Sequence, residues 1–266
     1  MPAVELGRLQ QQVNQLSDLF QDPPNYLYGV ESILKDHAGP AHRQGRVKGL
    51  CPMLRSYEVP PPLLKILTLE MSLQARLYPE EAIAIADGLW EQETVETRQL
   101  AIHLLGSIVL PSLDEITQRL EAWASENQEQ LLAPELAGIG TRSLRSTAPD
   151  QLLLFASKLI NKKDYRKQIL CLGMLQNLVL TNHFPNLPGL FELLLPACKK
   201  PDRKIRPELA SLLGELARNS PKETEYFLDQ LLNDKIAEDS LWLVRQALKA
   251  LPVGAQTRLL LILRDQ

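Results

Sequence analysis

Residues 204–227 read KIRPELASLLGELARNSPKETEYF, and this stretch indicates the fold class more clearly than any other. A helix-like block is followed at once by a second helix start, Ser220-Pro-Lys-Glu223, which is a capping box. In a capping box the serine accepts a hydrogen bond from a first-turn N–H, and the glutamate reaches back toward the serine. Pro221 suits the first helical position, and Pro207 is tolerable only in the first turn of its helix. The stretch predicts two consecutive helices with a short connection.

Similar helix starts recur along the chain. Ser112-Leu-Asp-Glu115 is another capping box, and residues 147–150 and 161–164 are weaker versions. Starts near residue 112, residue 147, the Leu187-Pro188 stretch and residue 220 are spaced 33 to 41 residues apart, which is typical of two-helix HEAT-like units. Apolar residues of helical period follow these starts: Ile116, Leu120 and Trp123; Leu152, Phe155 and Leu159; Tyr226, Leu228, Leu231 and Leu232.

These patterns predict an all-α protein, a curved right-handed HEAT-like helical-repeat solenoid of about six helix pairs, with residues 1–266 as one domain. The chain has 266 residues, of which 45% are hydrophobic, enough for a large core without disulfides or metal. No stretch alternates long enough to demand a strand, and the prolines cluster between predicted helices, with Pro207 as the exception. Residues 1–50 are predicted to form N-terminal capping helices, the first carrying Leu6, Leu9, Val13, Leu16 and Leu19.

Composition and the opening residues indicate the cellular compartment in which the chain is expected to work. Cys51, Cys171 and Cys198 lie far apart, so no zinc site is expected, and an odd count fits a reducing cytoplasm. The opening MPAVELGRLQ lacks the features of a signal peptide, and no apolar run approaches the roughly 20 residues that cross a bilayer. We therefore expect a cytoplasmic monomer without metal, cofactor or membrane contact.

Charge is unevenly distributed, although the formal net charge is only −3. Residues 142–206 contain twelve basic and four acidic residues, whereas the rest of the chain has 17 basic and 28 acidic residues. The basic residues concentrate at 161–167 and 199–206, two predicted inter-helix junctions one repeat apart. Stacked repeats would bring such junctions to one edge, where a cationic surface attracts nucleic-acid phosphates. The alternative is a lysine-rich, solvated loop.

Four segments, in order, resemble the DNA alkylation repair (AlkD-like) family over residues 55–250. They are Tyr57-Glu-Val-Pro-Pro-Pro-Leu-Leu-Lys65, Leu89-Trp90 with the block through Leu105, Asp202 through Phe227, and LWLVRQAL at 241–248. The resemblance implies a HEAT-like solenoid that grips duplex DNA, alkylated or distorted duplexes included, through its phosphates. The two basic clusters are where we expect the DNA contacts, namely Lys162, Lys163, Arg166, Lys167, Lys199, Lys200, Arg203, Lys204 and Arg206.

Active members of that family are glycosylases that remove N3- or N7-alkylated purines, and their catalytic positions fall here on Trp123, Asn127, Arg166 and Ser211. The family's aspartate, which stabilises the oxocarbenium-like transition state, is replaced by Asn127. Its second groove tryptophan falls on Ser211, and the arginine three residues later falls on Gly214. We therefore expect weak or absent activity.

Several alternatives stay open at this point. Trp123 is either a groove residue or plain core, whereas Trp90 and Trp242 are expected to pack inside the protein. Glu96 and Arg98, two apart on a helix, are expected to form salt bridges between repeats. One alternative function is an active alkylpurine glycosylase that uses Glu126 or Glu129 as its carboxylate. Another is a protein-binding HEAT scaffold, which predicts an apolar or acidic concave face.

Overall fold

A computed structural model describes residues 6–39, 54–109, 113–126, 131–181, 184, 186–233 and 238–264. These residues form fifteen helices and no strand apart from one isolated bridge between Arg55 and Thr94. The predicted all-α class is confirmed. The helices are α1 (Leu6–Ser17), α2 (Pro23–Asp36), α3 (Pro61–Leu77), α4 (Pro79–Glu91), α5 (Val95–Leu105), α6 (Asp114–Glu126), α7 (Ala133–Gly138), α8 (Arg142–Thr147), α9 (Pro149–Ile160), α10 (Tyr165–Val179), α11 (Leu187–Lys199), α12 (Arg206–Asn219), α13 (Pro221–Asn233), α14 (Glu238–Leu248) and α15 (Val253–Arg264).

The predicted helix starts agree well with the observed ones. Helix α13 begins at Pro221, and Pro207 is the second residue of α12, where proline leaves no hydrogen bond unmade. The cap of α10 is Asp164, whose carboxylate accepts a hydrogen bond from the N–H of Arg166 at 3.0 Å. Asn186 caps α11 in the same way, accepting from the N–H of Gly189. Ser112 lies outside the described residues.

Two local details differ from the sequence prediction. Pro196 lies inside α11, so Pro207 is not the only proline within a helix. Helix α1 ends at Ser17, which leaves Leu19 beyond the helix and 40% exposed. Leu9, Val13 and Leu16 are buried, as their spacing predicts.

The chain divides into two compact units. Unit 1 comprises Met1–Leu120 with Asn127–Leu144, and unit 2 comprises Glu121–Glu126 with Arg145–Gln266. Within unit 1, α3 contacts α1 and α5, α5 contacts α7, and α2 contacts α4. Helices that follow each other in the chain are also in contact: α1 with α2, α3 with α4, and α4 with α5. Alternate helices of unit 1 thus lie side by side in two layers.

Unit 2 repeats this order. Helix α12 contacts both α10 and α14, forming one layer, whereas α11 contacts α9 and α13, and α13 contacts α15, forming the other. The layers are joined where α9 meets α10, α12 meets α13 and α14 meets α15. The junctions that precede α10 and α12 lie close together, beside the beginning of α14.

Glu96 and Arg98 make contacts other than the salt bridges expected between repeats. The buried Glu96 carboxylate accepts hydrogen bonds from the backbone N–H groups of Tyr57 and Glu58, at 3.0 and 2.8 Å, and from the hydroxyl of Ser56 at 2.6 Å. The Arg98 guanidinium lies 4.5 Å from the ring centre of the buried Trp90. Residues two apart point to different sides of a helix, so the two charges serve different neighbours.

Candidate nucleic-acid interface

The two basic junctions predicted from the sequence lie beside each other in unit 2. Residues 161–164 connect α9 to α10, and residues 200–205 connect α11 to α12. The Nζ atom of Lys204, in the second junction, lies 4.4 Å from the ring centre of Tyr165, the first residue of α10. This distance is that of a cation–π contact, so the cationic clusters are direct neighbours.

The beginning of α14 continues the same surface. Arg206 forms an ion pair with Asp239, and its guanidinium lies 5.7 Å from the ring centre of Trp242. The hydroxyl of Ser240 donates a hydrogen bond to the carbonyl oxygen of Lys199 at 2.9 Å. We call the surface formed by residues 161–167, 199–206 and 238–242 the junction edge.

Part of the positive charge on the junction edge is neutralised by Glu121, on the last turns of α6. The Nζ atom of Lys167 lies 2.7 Å from a Glu121 carboxylate oxygen, and that of Lys162 lies 3.5 Å from the same oxygen. The hydrogen bond from Lys167, helped by the charge of Lys162, lowers the pKa of the Glu121 carboxyl. Two of the predicted DNA-binding lysines therefore already have an anionic partner.

Arg166 is engaged in a similar way. Its Nε atom donates to Asp164 at 3.0 Å, and its backbone N–H donates to the same carboxylate oxygen. Partial burial raises the pKa of the Asp164 carboxyl, but the hydrogen bonds from Arg166, with a smaller one from Ser125, outweigh it and lower the pKa. Arg166 thus completes the cap of α10 as well as contributing charge to the edge.

Four cations on the junction edge have no acidic partner among the residues that the structure describes, namely Lys163, Lys200, Arg203 and Lys204. All four are exposed, and Lys199 is exposed as well. Exposed cations grouped on one edge are suited to binding a polyanion, because each contact with a phosphate releases a counterion.

Of the family's catalytic positions, the structure describes Trp123, Arg166 and Ser211. Trp123 is buried, with 4% of its surface exposed, so the core alternative is the one observed. Asn127 lies outside the described residues, as does Glu129. Ser211 is exposed on α12 and accepts a hydrogen bond from Gln176 at 3.0 Å. Gln176 is ten residues beyond Arg166 on α10, or about 15 Å along the helix axis, so Ser211 and Arg166 are apart.

The sequence reasoning missed two aromatic residues of the junction edge. Tyr165 contacts Lys204, and Trp242 contacts Arg206. Trp242 was expected to pack inside the protein like Trp90, but 38% of its surface is exposed, against 4% for Trp90. For Tyr165 the available signal was its place directly after the predicted helix start at 161–164. Trp242 had no such signal.

Comparisons with family models, curated proteins and solved structures find no match to this chain. Among the described residues, no group of three or more histidine, cysteine, aspartate or glutamate side chains is placed to hold a metal ion. In the same residues, no helix is both long and apolar enough to cross a membrane. The buried thiols of Cys171 and Cys198 have pKa values raised by burial, as expected for core cysteines.

Proposed function

We propose that this chain is a DNA-binding protein built of HEAT-like α-solenoid repeats, related to the DNA alkylation repair (AlkD-like) family, with little or no glycosylase activity. The observation that carries the proposal is the contact between the two basic junctions through Lys204 and Tyr165. It groups cations that are about forty residues apart in the sequence. The two-layer order of helices within each unit supports the repeat architecture.

The binding mode follows from the chemistry of the edge. Lys163, Lys200 and Arg203 are long, exposed and without acidic partners among the described residues, so they can each meet a phosphate oxygen. Contacts of this kind depend on phosphate spacing rather than on base sequence. We therefore expect duplex binding with weak sequence preference and strong dependence on salt.

Low catalytic activity follows from the residues at the family's catalytic positions. An amide at Asn127 carries no charge to offset an oxocarbenium ion, and loss of such a partner costs on the order of 10²–10³ in rate. Ser211 supplies no aromatic face, and the ring of Trp123 is buried. Glu126 is exposed at the end of α6, one residue from the family's acidic position, and one residue along a helix turns a side chain by about 100°.

A matched pair of charge-reversal variants tests the binding proposal. The test variant changes Lys163, Lys200 and Arg203 to Glu, and the control changes Lys65, Arg76 and Lys222 to Glu. Each variant replaces three cations by glutamate, so the two variants change the net charge equally. All six residues are exposed and form no ion pair with described residues, so neither variant breaks a described ion pair. At about 150 mM salt, where charges beyond roughly 8 Å are screened, the test variant should bind duplex DNA about tenfold or more weakly than the control. Equal binding of the two variants would refute the proposed surface.

A base-release assay tests the catalytic part separately. Methylated duplex DNA is incubated with the native protein and with the Asn127→Asp variant, and free 3-methyladenine and 7-methylguanine are measured. We expect no release above background from the native protein, and release by the variant would show that the restored carboxylate suffices. Efficient release by the native protein, abolished by Glu126→Gln or Glu129→Gln, would instead establish the active glycosylase.

A further inference from the structure

Trp242 is the most exposed tryptophan of the chain. The sequence contains three tryptophans, and Trp90 and Trp123 are each 4% exposed, whereas Trp242 is 38% exposed. Tryptophan is the largest hydrophobic side chain, and a residue that serves only packing is usually more deeply buried. Its partial exposure leaves part of the indole ring accessible to a partner outside the chain.

Exposed charges of both signs surround Trp242. Glu238 and Asp239 lie four and three residues before it on α14, and Asp239 is the ion-pair partner of Arg206. The guanidinium of Arg206 lies 5.7 Å from its ring centre. Arg245, three residues further along α14, lies on the same helix face as Trp242, and Lys249 follows directly after the end of the helix; both are exposed. An exposed indole thus stands between cations of α12 and α14, at one end of the junction edge.

This arrangement has the components that proteins use to hold unpaired bases. A cationic surface follows the phosphates, and an aromatic ring stacks on a nucleobase, whichever base it is. In an intact duplex the bases are already stacked on each other, so an aromatic ring gains a stacking partner only where a base is unpaired. The charge and the ring together favour nucleic acid with a single-stranded segment.

We propose that Trp242 is a stacking position for an unpaired nucleobase of DNA, with Arg245 and Lys249 contacting the flanking phosphates. The inference rests on the proposed function, since it places the base contact at one end of the same cationic edge. It adds a preference for DNA that carries a single-stranded stretch, such as a gap or an overhang, over a fully paired duplex.

Tryptophan fluorescence and binding measurements on the full chain test this inference. The probes are an oligothymidylate of about 12 nucleotides and an abasic strand of the same length, which has the same phosphates but no bases. The base-containing strand should quench the fluorescence and bind about fivefold or more tightly than the abasic strand, because only it can stack. In Trp242→Leu the quenching and the preference should both disappear, whereas Trp242→Phe should retain part of the preference.

Tyr226→Leu is the matched control. Tyr226 is 64% exposed and lies on α13, in the other layer of unit 2, so its removal should leave quenching and preference unchanged. The inference is overturned if the native protein binds both strands equally, or if Trp242→Leu keeps the full preference. Salt-dependent duplex binding that is lost only in the charge-reversal variant of residues 163, 200 and 203 would then still support the proposed function. Absence of binding to any DNA would refute both.

Discussion

At the scale of single residues, the charge that the junction edge presents depends on which cations already have partners. Glu121 holds Lys167 at 2.7 Å and Lys162 at 3.5 Å, although it lies more than forty residues before Lys162 in the sequence. Counted from the sequence alone, both lysines look available for phosphate. In the structure, the Glu121 carboxylate on α6 neutralises part of their charge.

Replacing Glu121 by Gln should strengthen DNA binding. The substitution removes the anionic partner of two lysines, so one or two further phosphate contacts become available. Each added contact steepens the plot of log affinity against log salt by about 0.9, so we expect a slope steeper by roughly one to two. Fluorescence anisotropy at several salt concentrations measures it. Glu223→Gln is the control, since Glu223 is exposed and forms no ion pair with described residues; equal effects of the two substitutions would contradict the role of Glu121.

Asp164 gives a prediction that depends on pH. Its pKa is lowered in the folded protein, so its contribution to the free energy of unfolding is present above the unfolded-state pKa. That contribution is lost as the pH falls through the lowered folded-state pKa. Asp164→Asn keeps a capping side chain but loses the charge, and Asp164→Ala loses both, at a cost of about 0.5–2 kcal/mol.

Urea unfolding at neutral and at acidic pH distinguishes these contributions. The difference in stability between the native protein and Asp164→Asn should shrink toward acidic pH, because the native carboxyl then becomes protonated and neutral. The native protein should remain more stable than Asp164→Ala at neutral pH. A difference between native and Asn variants that grows on acidification would show that the ion pair with Arg166 does not stabilise the fold.

At the scale of helices and their connections, close backbone packing in unit 1 leaves no space for a side chain at Gly106. Gly106 follows the last residue of α5, and a Cβ atom placed there would overlap the carbonyl oxygen of Ile139, just after α7. The φ of Gly106 is −69°, which any residue can adopt, so the need for glycine is steric. The end of α5 can lie this close to the end of α7 only because no side chain intervenes.

Gly106→Ala and Gly214→Ala should therefore have opposite effects on stability. In Gly106→Ala the backbone at Ile139 must move, and overpacking of this kind costs about 1–3 kcal/mol. At Gly214, inside α12, the nearest atom outside the helix backbone is the Arg218 guanidinium at 3.9 Å, so a Cβ fits. Alanine there should stabilise the protein by about 0.5–1 kcal/mol, because glycine disfavours helix interiors. Chemical denaturation measures both, and a neutral Gly106→Ala would contradict the close approach.

At the scale of the whole molecule, the two units differ in charge. Unit 1 has 11 basic and 17 acidic residues, whereas unit 2 has 18 basic and 15 acidic residues, so the net charges are −6 and +3. A polyanion is therefore repelled by unit 1 and attracted to unit 2. The small net charge of the chain conceals this difference.

The salt dependence of duplex binding should reflect this division. With Lys163, Lys200, Arg203 and Lys204 as the main phosphate contacts, log affinity should fall against log salt with a slope of about −3 to −4. Titrations between about 50 and 200 mM salt give the slope directly. A slope near −10 would require far more contacts than the junction edge offers, and a slope near zero would exclude phosphate binding.

The sequence by itself determined the helical class and most helix starts, because these depend on local signals. Pro221 and Pro207 lie in first turns as predicted, and the cap of α10 falls within the predicted 161–164 start. A capping side chain acts on N–H groups two or three residues away, so such signals are legible without the fold. Pro196 is an exception, because it lies inside α11, where proline removes a hydrogen bond of the helix.

Only the tertiary structure decided which charges are paired and which aromatic rings are exposed. Trp123 and Trp242 both sit on helices with apolar neighbours, yet one is buried and the other is not. Arg206 is paired with Asp239, 33 residues away, and Lys167 with Glu121, 46 residues away. Ion pairing and burial depend on which helices are neighbours in the fold, and at such separations no local pattern in the chain specifies the partner.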